Sequence, residues 1–181
     1  SKPGLRDLRK KDDLKSNVKL YNQIKEGSKL CDSYLCEIKF YNLFEEVMQD
    51  IKVNYPAEFA YGIVSSKWIF KNFDKIGLIG SNEKLKIIKE LMNFNEYQEF
   101  LGIDRFEEYI GIPQVYALSK GESIYRKIKK KVENSNSEIF ILGIGHVQNT
   151  LLHRIKKHTN VPMVCIGCGM DAIAGLVDVR R

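Results

Sequence analysis

The chain has 181 residues, 44% hydrophobic and 29% charged, enough for one well-buried domain, short for two, and far from a disordered composition. No apolar run approaches the roughly 18 residues of a membrane span, and the N-terminal stretch SKPGLRDLRKKDDLK has no apolar segment behind its basic residues, so it does not read as a secretory signal. The net charge of +6 suits a polyanion, either nucleic acid or membrane headgroups, but the basic residues are spread along helical segments (RKKDDLK, KLKIIKE, RKIKKK, HRIKKH) that read as mixed-sign solvated faces. Nucleic acid is therefore not expected as a partner, while an anionic small ligand such as a nucleotide diphosphate is favoured.

In chain order, residues 5 to 26 place Leu5, Leu8, Leu14, Val18, Tyr21 and Ile24 at amphipathic-helix spacing. GSKLCDSYLCEI reads as a turn and a short strand. KFYNLFEEVMQDIKV has helical spacing through Phe40, Leu43, Phe44, Val47 and Ile51, with Pro56 as the break. AEFAYGIVSSKWIFKNF reads as one helix with Trp68 in its buried face. DKIGLIG is a strand, and SNEKLKIIKELMNF is a helix capped by Ser81. NEYQEFLGIDRFEEYIGIPQVYAL is aromatic-rich and irregular, and is expected to form short helices over a sheet edge. KGESIYRKIKKKVENSNS is a helix ended by a polar turn, EIFILGIG a strand, HVQNTLLHRIKKHT a helix, VPMVCIGCG a strand, and MDAIAGLVDV a last short helix turning into a strand or loop.

Continuously apolar strands alternating with amphipathic helices of ten to fifteen residues are the pattern of βαβ units covered on both faces. The expected fold is a Rossmann-like three-layer α/β sandwich with a mostly parallel sheet. Residues 1–181 are read as one domain, mainly helical over 1–57 and built of βα units over 58–181, and are expected to be part of a longer protein.

The four cysteines form two pairs, Cys31 with Cys36 and Cys165 with Cys168. A four-thiolate zinc site is disfavoured, because Cys165 lies inside the apolar run VPMVCIG and neither pair has a glycine-rich knuckle. The thiols read as reduced, which places the protein in the cytoplasm.

Three predicted strands end in glycine corners: Gly80, Gly143 with Gly145, and Gly167 with Gly169. In a parallel sheet all three converge on one edge, where open α/β folds bind ligands and where free N–H groups and the positive ends of helix dipoles favour anions. Any one corner is equally explained by the backbone angles of a tight βα turn. None matches the dinucleotide or kinase-type phosphate-loop patterns, since Gln148 stands at the third position of GIGHVQ. Ser81 and Asn82 follow the first corner, Gln148 and Asn149 the second. His146 is placed for phosphate binding or acid–base work, and Asp171 for capping, ribose binding or base chemistry. VCIGCGMDAIAG also resembles the glycine loop of an S-adenosylmethionine-dependent methyltransferase, although it stands at the wrong end of the chain for that fold.

The runs KIGLIGSNEKLKIIKELM, EYQEFLGIDRFEEYIGIPQ, IFILGIGHVQNTLLHRIKK and IGCGMDAIAGLVDVRR together resemble the GT-D-type glycosyltransferase-like domain of bacterial and viral surface-glycan proteins, over roughly residues 60 to 181. The resemblance implies a nucleotide-sugar donor and a glycan or glycoprotein as acceptor; the corner residues Gly80, Ser81, Asn82, Gly143, Gly145, Gln148, Asn149, Gly167 and Gly169 would then hold the donor, with His146 and Asp171 as catalytic candidates. It also implies a divalent metal, Mn or Mg, held by an acidic D-x-E motif. No D-x-E or D-x-D occurs in this sequence. A non-catalytic nucleotide- or glycan-binding module is the alternative expectation.

Overall fold

The computed structural model describes residues 59–114, 117 and 120–176, together with 22–23, 26–27, 29, 31–32, 34–36 and 54–56. The helices expected over 5–26 and 39–53 lie mostly or wholly outside these residues. A short parallel pair, β1 (Tyr34–Cys36) and β2 (Asn54–Pro56), stands apart from the main sheet. The main sheet has four parallel strands: β3 (Ile76–Ser81), β4 (Glu108–Ile112), β5 (Ile139–Gly143) and β6 (Met163–Cys165), in the spatial order β4-β3-β5-β6.

Helices cover both faces. Seven are described: α1 (Phe59–Ser65), α2 (Trp68–Asn72), α3 (Asn82–Leu91), α4 (Asn95–Leu101), α5 (Gly121–Glu133), α6 (Gln148–Ile155) and α7 (Gly169–Ile173). The chain moves outward from β3 to β4, then returns past β3 to β5 and β6. With right-handed crossovers this reversal puts α3 and α4 on one face and α5 and α6 on the other. The core divides accordingly. Ile76, Leu78, Ile139 and Ile141 pack with Ile69, Phe70, Leu85, Ile88, Leu101 and Met170 on the first face. Ile79, Ile110, Ile112, Phe140 and Leu142 pack with Ile124, Ile128, Val132, Leu151 and Ile155 on the second. The expected Rossmann-like three-layer sandwich is therefore the observed fold. Among the described residues, no helix is long and apolar enough to cross a membrane.

Three expectations are corrected. The single helix expected over 57–73 is broken at Lys67, whose φ of 57° is left-handed, into α1 and α2. The turn rotates Trp68 outward, 54% exposed, while Ile69 and Phe70 take the core positions. The segment after α4 contains the edge strand β4, which pairs in parallel with β3 from Gly77↔Glu108 to Ser81↔Ile112. The histidines of the α6 region are not simply solvated. His158 hydrogen-bonds the Tyr125 hydroxyl through Nε2 at 2.9 Å and meets Glu133 through Nδ1 at 3.1 Å. His153 Nδ1 is enclosed, with no hydrogen-bond partner among the described residues.

Two measurements check these corrections. Phe70→Ala should cost about 3–5 kcal/mol in denaturant unfolding, and Trp68→Ala about 1 kcal/mol or less, because only Phe70 leaves a cavity. Burial, reinforced by the charges of Lys157 and Arg154 and opposed by Glu26, lowers the pKa of His153 below its ordinary 6.5. The folded state thus binds this proton less readily than the unfolded chain. The resulting stability is intact above pH 6.5 and is lost as pH falls from there through the lower folded value. His153→Gln should flatten the dependence of the thermal midpoint on pH below 6.5, and parallel curves for both proteins would contradict this assignment.

Candidate functional site at the carboxyl edge of the sheet

The strand order reverses at β3, so a crevice opens outside the carboxyl ends of β3 and β5. The register places three glycines in one row there, Gly80 opposite Gly111 on β4 and Gly143 on β5. All lie toward the α3–α7 face. A side chain at Gly143 would put its Cβ 2.5 Å from the Cβ of Met170, while one at Gly80 would press on Leu85 and Met170. Asn82 lies over Gly111 in the same way. The glycine row is therefore a floor on which Met170 and Asn82 rest. Gly111 is not among the glycine corners the sequence marks, because its strand lies in the aromatic-rich stretch expected to be irregular cover.

The other glycines differ. Gly145 (φ 61°) and Gly167 (φ 53°) adopt left-handed conformations, and nothing lies within 4 Å of a Cβ built on either. Both are exposed turns, one entering the 3-10 turn Gly145–Val147 ahead of α6 and the other leading into α7. Gly169 is packed against Val64 and Ile166.

Ser81 ends β3 and caps α3. Its Oγ accepts from the Lys84 N–H at 3.3 Å and donates to Gln114 Oε1 at 3.4 Å. From the first turn of α3, Lys84 Nζ forms an ion pair with Asp171 on α7. Both side chains are largely buried, 22% and 12% exposed, so the pair is shielded from solvent more than the surface pairs elsewhere. A further tie holds α7: the Tyr97 hydroxyl donates to the Ile173 carbonyl, and burial, helped by Tyr109, pushes that phenol up to about 12, so it stays protonated as a donor.

The structure thus brings Gly80, Ser81, Asn82, Gly143 and Asp171 together around α7 and the start of α3. Gln148 opens α6, half-buried, with its Oε1 enclosed and without a hydrogen-bond partner among the described residues. His146 lies in the 3-10 turn and Asn149 in the first turn of α6. Lys84, Met170 and Gln114 join the site beyond the residues expected from the sequence. Lys84 stands three residues after a serine cap, a visible signal, whereas the places of Met170 and Gln114 depend on contacts made across the sheet.

Among the described residues, no group of three or more His, Cys, Asp or Glu side chains could hold a metal ion. Asp171, the acid at the crevice, is taken up by Lys84. This donor set does not fit a divalent cation. Burial also raises the Cys165 thiol to about 12, so it stays protonated rather than becoming a thiolate ligand. A cavity of about 590 Å³ opens at the opposite edge, lined by Phe70, Lys75, Gln98, Arg105 and Glu107 among others. The helices that follow the strands start at the carboxyl edge, so their positive N-terminal ends face away from that cavity.

No protein-family model, curated protein or solved structure matches this chain.

The two kinds of glycine should respond differently to substitution. Gly143→Ala drives a Cβ into Met170 and should lower stability by about 1–3 kcal/mol. Gly145→Asn keeps a residue that tolerates positive φ in open space, and should cost about 1 kcal/mol or less. Equal losses in thermal unfolding would remove the distinction between packing and turn glycines.

Proposed function

We propose that the protein binds a nucleotide-sugar across the carboxyl edge at the β3–β5 switch point and transfers the sugar to a glycan acceptor. The observation that supports this most is the pair of exposed left-handed glycine turns, Gly145 and Gly167, which follow β5 and β6 on the same carboxyl edge as the start of α3 with Lys84. Their backbones let phosphate oxygens approach without a Cβ in the way. The start of α3 adds its dipole and the Lys84 ammonium, which would stabilise the departing diphosphate. In this reading Asp171 is a positioning residue that orients Lys84. His146, at the turn before α6, is the candidate base for the acceptor hydroxyl. The sequence resemblance to GT-D-type domains supports the sugar-nucleotide class. The engagement of Asp171 by Lys84, which ties up the acid at the crevice, favours the second reading, a nucleotide- or glycan-binding module without catalysis.

The test is thermal unfolding against UDP-, GDP-, CMP- and dTDP-sugars and S-adenosylmethionine, each with and without Mn2+. A ligand at a hundred times its dissociation constant adds about 2.7 kcal/mol, a shift of a few degrees. One nucleotide-sugar should produce that shift. Lys84→Met should then weaken its affinity tenfold or more, since a charge-assisted contact contributes about 1.5–3 kcal/mol, while Asp171→Asn should weaken it less. A shift without donor turnover identifies the binding module. No shift with any sugar nucleotide removes both readings, and a shift with S-adenosylmethionine alone replaces them with methyl transfer.

A further inference from the structure

The net charge of the chain is not evenly spread over the fold. On the second face, α5, α6 and the 3-10 turn Lys156–His158 carry eight basic residues (five on α5, three beyond it) against two acids, Glu122 and Glu133, a net of +6 with histidine neutral. On the first face, α1, α2, α3, α4 and α7 carry four lysines against five acids, a net of −1. The excess on the second layer equals that of the whole chain.

Burial explains why these charges point outward. Ile124, Ile128 and Val132 recur every four residues and fix one side of α5 on the sheet. Arg126 and Lys130 are then directed away from it, and Lys127, Lys131, Lys156 and Lys157 are exposed beside them. Among the described residues, two further acids act on the layer. Glu108 meets Lys131 at 3.3 Å and Glu26 acts on His153, which leaves a clear basic excess.

We propose that this layer seats the protein on an anionic lipid surface. Clusters of four to eight Lys and Arg on an amphipathic helix are suited to such headgroups. Three observations favour a bilayer over nucleic acid. Six of the eight basic residues are lysines, compact point charges. Of the two arginines, Arg154 spends both terminal nitrogens on Glu122, at 3.0 and 3.3 Å, so its planar fork is occupied, while Arg126 only approaches the same carboxylate, at 3.7 Å. Arg154 also covers the Tyr125 ring at 3.6 Å, and the exposed large apolar side chains, Trp68, Phe94 and Phe100 among them, belong to other elements, so among the described residues no aromatic of this layer is open for bases to stack on. Two helices side by side form a broad layer, and seating it leaves the carboxyl edge open at the side. This inference does not depend on which ligand that edge binds.

The experiment is co-sedimentation of the full chain with vesicles of phosphatidylcholine alone or with about one-third phosphatidylserine. The expected result is binding to the anionic vesicles only, released by high salt as screening shortens. Each exposed lysine neutralised to Gln should lower partitioning about fivefold. Lys130→Glu with Lys156→Glu and Lys157→Glu should abolish binding, while the same reversal at Lys71, Lys86 and Lys89 on the first layer should spare most of it, although both sets change the net charge equally. Circular dichroism checks that each variant is folded. Absence of binding to anionic vesicles overturns the proposal, as does equal loss in both triple variants. Binding to duplex DNA without binding to vesicles overturns it in favour of nucleic acid.

Discussion

The pairing of β3 with two parallel neighbours, β4 on one side and β5 on the other, is the constraint from which the rest follows. It places β3 at the point of strand reversal and sends the crossover helices to opposite faces. It also aligns Gly111, Gly80 and Gly143 across three strands. A side chain at Gly80 or Gly143 would keep α7 off the sheet, and one at Gly111 would press on Asn82 at the start of α3. With glycine there, Met170 settles on the backbone and is completely buried. Packing of this kind tolerates little change, because protein interiors are as dense as molecular crystals.

The seating of α7 carries the local chemistry with it. Once Met170 is down, the next residue, Asp171, is turned toward the start of α3 and meets Lys84. An unpaired carboxylate as buried as Asp171 would be costly, so the pair joins the end of the described chain to the first βα unit of the main sheet. Tyr97 adds a tie from α4. The crevice thus joins α7 to two consecutive helices far before it in the chain, α3 and α4, and Lys84 is positioned there by a residue 87 places further along.

Much of the fold was legible in the sequence. The apolar runs at 76–80 and 139–143, the serine cap at Ser81 and the four-residue spacing of Ile124, Ile128 and Val132 each act over a few residues, where periodicity and capping decide the outcome. The edge strand β4 was not legible. One of its faces is only half-buried, so Glu108 and Tyr109 interrupt the apolar run that marks a central strand. Trp68 was misplaced for a related reason. A helical pattern drawn through 57–73 fixes which residues share a face only while the helix is continuous, and a left-handed turn at Lys67 resets it.

By itself the sequence determined the class of fold, the convergence of the glycine corners on one sheet edge and the presence of a basic excess. These depend on local spacing and on counting. The tertiary structure alone decided which glycines support packing and which leave a turn open. It alone brought Lys84 to Asp171, and it alone gathered the basic residues onto one layer while leaving the other nearly neutral. Those outcomes depend on which face of the sheet each helix covers, and that is fixed by the handedness of the crossovers rather than by any short stretch of residues.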